Sequence, residues 1–173
     1  KAIEEGLGRQ VQDVFQSIEE KPLATASIAQ VHRGVTRAGA RVVVKVQRPG
    51  IAEEVRRDVD LLYRLARLLD AVVEESALAE PVGIVRECEL ALSQELNFQS
   101  EAANVREFRR LHDGRDDIVI PEVLSELSSA TVLTMTELAG VPLSRLPPGA
   151  DRKAVAARII REAFDEVFVD GVF

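Results

Sequence analysis

Tryptophan is absent from this chain, tyrosine and methionine each occur once, and aromatic residues make up only 4% of its 173 residues. The core must therefore be built from Leu, Val, Ile and Ala, which the hydrophobic fraction of 46% supplies. The single cysteine, Cys88, allows no internal disulfide and is compatible with a reducing compartment. Its helix-like neighbours predict a small buried apolar group. His32 and His112 are the only histidines, far apart and with no cysteine or carboxylate at ligand spacing, so no histidine metal site is expected. No signal peptide is read at Lys1, and no apolar run is long enough to cross a bilayer. A basic excess is also missing: 22 Lys and Arg stand against 29 Asp and Glu, a net charge of −7. That balance argues against a broad phosphate-contact surface, and hence against nucleic acid, while leaving local binding of a nucleotide open. The length suits one ordinary domain or a piece of a larger protein.

What is present centres on Pro22 to Ile51, PLATASIAQVHRGVTRAGARVVVKVQRPGI. The spacing predicts a small-residue loop, a strand, a turn at Arg37-Ala38-Gly39-Ala40, and a second strand over Ala40 to Gln47, paired as an antiparallel hairpin. Alternation puts Val42, Val44 and Val46 on one face and Val43, Lys45 and Gln47 on the other, so Lys45 leaves the packed face. Small side chains at Ala24, Thr25, Ala26 and Ser27 would let backbone N–H groups approach a ligand, and with a nearby lysine they suit a polyphosphate. The residues alone equally allow an ordinary edge hairpin with a solvated lysine.

Around this stretch, apolar residues at three- and four-residue steps predict an amphipathic helix over Ala2 to Ile18, with a break near Gly6-Leu7-Gly8. That Gly-x-Gly lacks a third glycine and a preceding strand, which excludes a dinucleotide fingerprint. A long helix is expected over Ile51 to Val73, with an apolar face so broad that it needs cover on more than one side. Its basic residues are diluted by Glu53, Glu54, Asp58 and Asp60, which favours packing over membrane contact. An acidic connector over 74–80 leads to Pro81 and a helix over Val82 to Leu96. Asn97 then caps a new helix starting at Phe98. Without that break Glu95 and Glu101, six residues apart, would be about 240° apart around one helix. Ile118 to Pro121 and Ala130 to Met135 read as two further strands, which brings the sheet to four or five. Pro147-Pro148-Gly149 is a linker, and Asp151 caps a final helix.

Three runs, PLATASIAQVH, VVVKVQRPGI and QELNFQSEAANVREF, resemble the UbiB/AarF family of atypical, protein-kinase-like proteins linked to isoprenoid-quinone biosynthesis. The resemblance extends over nearly the whole chain. It implies an α+β fold: a protein-kinase-like small lobe with an antiparallel sheet, family-specific extra helices, and the first helix of the large lobe. An N-terminal helical segment (1–21), the lobe with inserted helices (22–140), and a linker with the truncated large lobe (141–173) would follow one another. In that family an alanine-rich loop replaces the glycine-rich one, so Ala24, Thr25, Ala26 and Ser27 would cover phosphates and Lys45 would be the nucleotide-binding lysine. Ala29 stands where the family commonly has glycine. Glu101 corresponds to the glutamate that pairs with that lysine, and Glu95 with Asn97 to a Glu-x-Asp pair, here without the second charge. Met135 would back the adenine pocket, with the Thr136 carbonyl and Leu138 N–H facing the adenine edge and Glu137 between them.

The implied cofactor is ATP or ADP with Mg²⁺, whose ligands would lie outside this chain. The implied partners are the nucleotide, the remainder of a kinase-like chain, and a membrane or quinone-biosynthesis proteins on the cytoplasmic side. The sequence carries no catalytic residues of the family. Asp170-Gly171 resembles the turn that precedes the family's His-Ala-Asp-Pro-His-Pro-Gly-Asn loop, yet neither that loop, nor Asp-Phe-Gly, nor Lys-x-Gly-Gln is found. A chain without those carboxylates should not transfer phosphate alone. Two functions are therefore expected of the whole protein: an atypical kinase or ATPase, or a non-catalytic scaffold docking a partner or membrane through the Ile51 to Val73 helix.

Overall fold

In the computed structural model, residues 1–72 and 80–166 are described. They fall into two compact units that meet in sequence between Glu137 and Leu138. In the first unit, a five-stranded antiparallel sheet is built from β1 (Phe15–Ile18), β2 (Ala24–Thr25), β3 (Ala29–Thr36), β4 (Arg41–Gln47) and β5 (Val132–Thr136). The order is β1-β3-β4-β5. Because β1 uses Gly34 to Thr36 of β3 and β2 uses Gln30 and Val31, the two share one edge of that strand. The helices are α1 (Ala2–Leu7), α2 (Val11–Val14), α3 (Ile51–Val72), α4 (Pro81–Glu95) and α5 (Phe98–Leu111).

The β3–β4 hairpin forms where the alternation predicts, with Gly39 at φ +83° in its turn and the Thr36 N–H donating to the Ala40 carbonyl at 2.9 Å. Period-two alternation then sorts the sheet into two buried faces. On one, Val42, Val44, Val46 and Val132 pack against Val14 and Phe15, with Ile3, Leu7 and Val11 of the N-terminal helices covering them. On the other, Ala29 and Leu133 pack against Phe98 and Ala102 of α5. Lys45 does leave the valine face, but for a second packed layer and not for open solvent.

Four expectations are corrected. The helical reading of Ala2 to Ile18 fails at its end. Gly8, at φ +64°, closes α1, and Phe15 to Ile18 becomes a strand because pairing with the β3 edge satisfies its backbone groups and sinks Phe15 into the core. Gly34 makes room for this, since a Cβ there would lie 2.7 Å from Ile18 Cδ1. Ile118 to Ile120 forms no strand. Pro121 has no N–H to donate, so the edge of β5 pairs one step later, through Thr136 N–H to the Glu122 carbonyl and Leu124 N–H to the Thr134 carbonyl, both 2.9 Å. Ala24 and Thr25 are strand, not loop, which narrows the turn to residues 26–28. Cys88 is exposed, because α4 buries no residue fully.

Other boundaries follow their signals. Pro81 opens α4, and the Asn97 side chain accepts the Gln99 N–H at 3.1 Å and starts α5. The long α3 packs on α4, where Tyr63 Oη donates to Glu89 Oε2 at 2.6 Å. That bond to a carboxylate raises the tyrosine pKa. The expected second cover for α3 is not found among the described residues: Leu61, Leu65, Leu68 and Val72 stand exposed. In the second unit, Asp151 caps α6 (Arg152–Asp165) by accepting the Lys153 and Ala154 N–H groups. The acidic connector over 74–79 and the Asp-Gly turn at Asp170 lie outside the described residues.

Candidate functional site

Strand β4 places Lys45, and helix α5 places its partner. Lys45 Nζ donates to Glu101 Oε2 at 2.5 Å and lies 4.7 Å from the centroid of the buried Phe98 ring, one turn before Glu101 on α5. The ammonium is thus held by a carboxylate on one side and an aromatic face on another. The helix is itself fixed at its first turn. Phe98 N–H donates to the Ala130 carbonyl at 2.9 Å, and the Gln47 side-chain amide donates to the Leu96 carbonyl. Gln47 is two residues beyond Lys45 on the same face, so one strand supplies both the lysine and the peg that positions its glutamate.

Register shows what accompanies Lys45. Directly opposed residues of an antiparallel pair share a face, and Ala24, Val31, Lys45 and Leu133 form one row across four strands. The next row is Arg33, Val43 and Met135. Val31, Val43 and Met135, all half-buried, form an apolar step beside the ammonium. Sequence reasoning singled out Met135 and put Val43 on the Lys45 face but missed Val31, although carrying the alternation of β4 through the Gly39 turn would have found it. Ala26 N–H is used within the turn, donating to the Ala29 carbonyl at 2.8 Å, and Ser27 is exposed at its tip.

The remaining predicted residues separate. Glu95 is exposed at the end of α4, and Asn97 spends its side-chain oxygen on the cap. Thr136 is tied on its outer side to Glu122, donating through its N–H and accepting at Oγ1. Leu138 belongs to the second unit and is exposed. Glu137, which the sequence placed between two backbone contacts, is the unforeseen feature. Its carboxylate accepts from Arg33 Nε at 2.8 Å and from Arg41 Nε at 2.9 Å. The Arg33 bond first, then Arg41, holds its pKa below the ordinary carboxylate range. Among the described residues no cluster of three or more His, Cys, Asp or Glu is placed to hold a metal ion, and no helix is long and apolar enough to cross a membrane.

A sheet with a lysine of strand β4 paired to a glutamate of helix α5 is an arrangement of protein-kinase-like small lobes, and the family model for the ABC1 atypical kinase-like domain matches residues 1–173. The chain belongs to the ABC1 atypical kinase-like family. Its curated relatives include probable protein kinases UbiB: that of Aeromonas salmonicida is 39% identical over 99% of this chain and 32% of its own length. That of Xylella fastidiosa is 38% identical over the same shares, and that of Pseudomonas paraeruginosa 37% identical over 100% of this chain and 33% of its own. This ABC1 domain therefore spans about a third of the relatives it matches. Among solved structures, Rv3197 of Mycobacterium tuberculosis, determined in complex with erythromycin, superposes with a TM-score of 0.81 at 27% identity, over 96% of this chain and 42% of that one. The UbiB resemblance and the kinase-like α+β fold are thus borne out for the ABC1 domain.

Proposed function

We propose that this domain is the ATP-binding part of an atypical kinase or ATPase that supports isoprenoid-quinone or lipid metabolism, and that the chain alone is inactive. The observation that carries the reading is the Lys45–Glu101 pair at 2.5 Å on the sheet face that also presents Val31, Val43 and Met135. An ammonium oriented by a carboxylate is suited to the α- and β-phosphates, and an adjacent apolar step is suited to a flat base. The donor set fits the nucleotide. Mg²⁺, when bound, would neutralise charge on the phosphates, its carboxylate ligands coming from outside this chain. Within the chain, Lys45 holds phosphate, Glu101 keeps Lys45 extended, and the turn following Thr25 lies over the phosphates. The name UbiB carried by the relatives is the support for a role in quinone metabolism.

Calorimetry with ATP, with and without Mg²⁺, on the full-length protein and its Lys45→Ala variant tests this. Binding by the wild type that falls at least tenfold in the variant supports the reading. Equal binding by both overturns it. A scaffold reading has its own observation, the exposed leucines at 61, 65 and 68 of α3. It requires that charged substitutions there abolish binding to a protein partner or to vesicles, with ATP affinity unchanged.

A further inference from the structure

Gln47 is a polar side chain in an apolar layer. It is only 8% exposed, and opposite it on β3 stands Ala29, which packs against Phe98 and Ala102. A buried amide is costly unless its donors are used. Gln47 uses one on the Leu96 carbonyl, 49 residues further along the chain. Leu96 is the C-cap of α4, and a helix end leaves its last carbonyls without partners inside the helix. The backbone of Gln47 is fixed as well, its N–H donating to the Thr131 carbonyl at 3.0 Å. The side chain therefore reaches from a rigid strand to a helix end.

The chain between these two residues leaves β4 at Gln47, forms α3 and α4, which pack on each other, and returns at Leu96 to start α5. The Gln47–Leu96 bond joins the two ends of that excursion. It also forms a closed frame with the Lys45–Glu101 pair. Strand β4 sets the separation of Gln47 and Lys45, two residues or about 7 Å at strand rise, and the capped first turn of α5 sets that of Leu96 and Glu101. With both backbones rigid, the bonds at the two ends of the frame support each other. Each residue of slip along α5 would carry Glu101 about 1.5 Å and turn it by about 100°, enough to part it from Lys45. The Phe98 N–H bond to the Ala130 carbonyl also holds the start of α5, but refers it to the approach to β5. Gln47 refers it to the strand that carries the lysine.

We propose that Gln47 is a positioning residue for the nucleotide site: by closing the base of the α3–α4 pair it sets where α5 begins, and so holds Glu101 on Lys45. This deepens the nucleotide-binding reading above and rests on it. The Gln47 amide faces Leu96, so it acts through Glu101 and not by contact with the nucleotide. The two helices and the ion pair thus share one bond, and displacing the end of α4 loosens the partner of the ammonium.

Full-length wild type, Gln47→Met, Glu101→Gln and the double variant are titrated calorimetrically with ATP. Methionine is unbranched like glutamine and lacks the N–H donor. Gln47→Met should weaken ATP binding about fivefold, the worth of one net hydrogen bond, and the same substitution made on Glu101→Gln should change it less than twofold. A residue of purely structural importance would weaken both backgrounds by the same factor, which overturns the proposal, as does Gln47→Met within twofold of wild type. In either case, loss of ATP binding in Lys45→Ala leaves the nucleotide reading standing. A wild type that binds no ATP overturns both. Should Gln47→Met lose its cooperative thermal transition, Gln47→Asn, whose amide is one methylene short of Leu96, takes its place and the same comparison decides.

Discussion

The Lys45–Glu101 pair admits a quantitative test by double-mutant cycle, using Lys45→Met, Glu101→Gln and both together, each followed by urea denaturation. Lys45 retains 21% of its side-chain exposure and Glu101 38%, so the pair lies between the exposed and buried limits. Exposed pairs couple by about 0.2–1 kcal/mol, and breaking a buried one costs about 3–5 kcal/mol. With Glu101 more than a third open to solvent, the coupling should be about 1–2 kcal/mol, after screening discounts the larger figure. Glu101→Gln alone should cost at least as much as the coupling, since the amide can still accept a hydrogen bond but leaves the partly buried ammonium beside the Phe98 ring, at 4.7 Å, without its opposite charge. Lys45→Met should cost less, because an apolar chain can lie on Phe98 and leave Glu101 to water. A coupling energy below about 0.3 kcal/mol, the level at which distant sites appear additive, would refute the claim that the two charges meet in solution.

Three further outcomes follow from single contacts. Gly6→Ala improves helix propensity by about 0.5–1 kcal/mol, but its Cβ would lie 2.5 Å from the γ-methyl of fully buried Val132, an overpacking worth about 1–3 kcal/mol, so the urea midpoint should fall and a rise would show that α1 can lift off the sheet. Asn97→Ala should lose about 1 kcal/mol of stability with the cap, while Asn97→Asp keeps it, and equal stabilities for the two would remove the capping role. For Glu137, whose pKa is lowered by Arg33 and then Arg41, the contribution of these bonds is present above the unfolded carboxylate range of about 4.3 and is lost as pH falls through the lower folded value. Wild type should therefore lose more stability than Glu137→Gln between about pH 5 and pH 3, and parallel losses would contradict the pairing.

Much of this was legible because short-range chemistry decided it. The valine alternation of β4, the Gly39 turn, Pro81 and the Asn97 cap each act within a few residues, and the structure follows all four. Phe15 to Ile18 and Ile118 to Ile120 were misread because partner availability decided them: the open edge of β3 recruited the first run, and Pro121 moved the pairing of the second. Cys88 was misread because a cysteine among apolar neighbours says nothing about whether its helix face has a partner. For the site, a family motif connected Lys45 to Glu101 across 56 residues, which no periodicity could do. The Arg33–Glu137–Arg41 cluster carries no motif, and 104 residues separate Arg33 from Glu137. It could have been anticipated only after strand register was known.

The pinning of α5 has a consequence for control. Many kinase-like lobes can swing the glutamate-bearing helix, so that the lysine–glutamate pair acts as a switch. Here the first turn of α5 is bonded to the Ala130 carbonyl, its preceding turn to Gln47, and Phe98 is sunk into the core between them. Swinging the helix would break the core itself. The ion pair is therefore assembled when the lobe folds, as a constitutive part of it, held by the same contacts that close the second core layer.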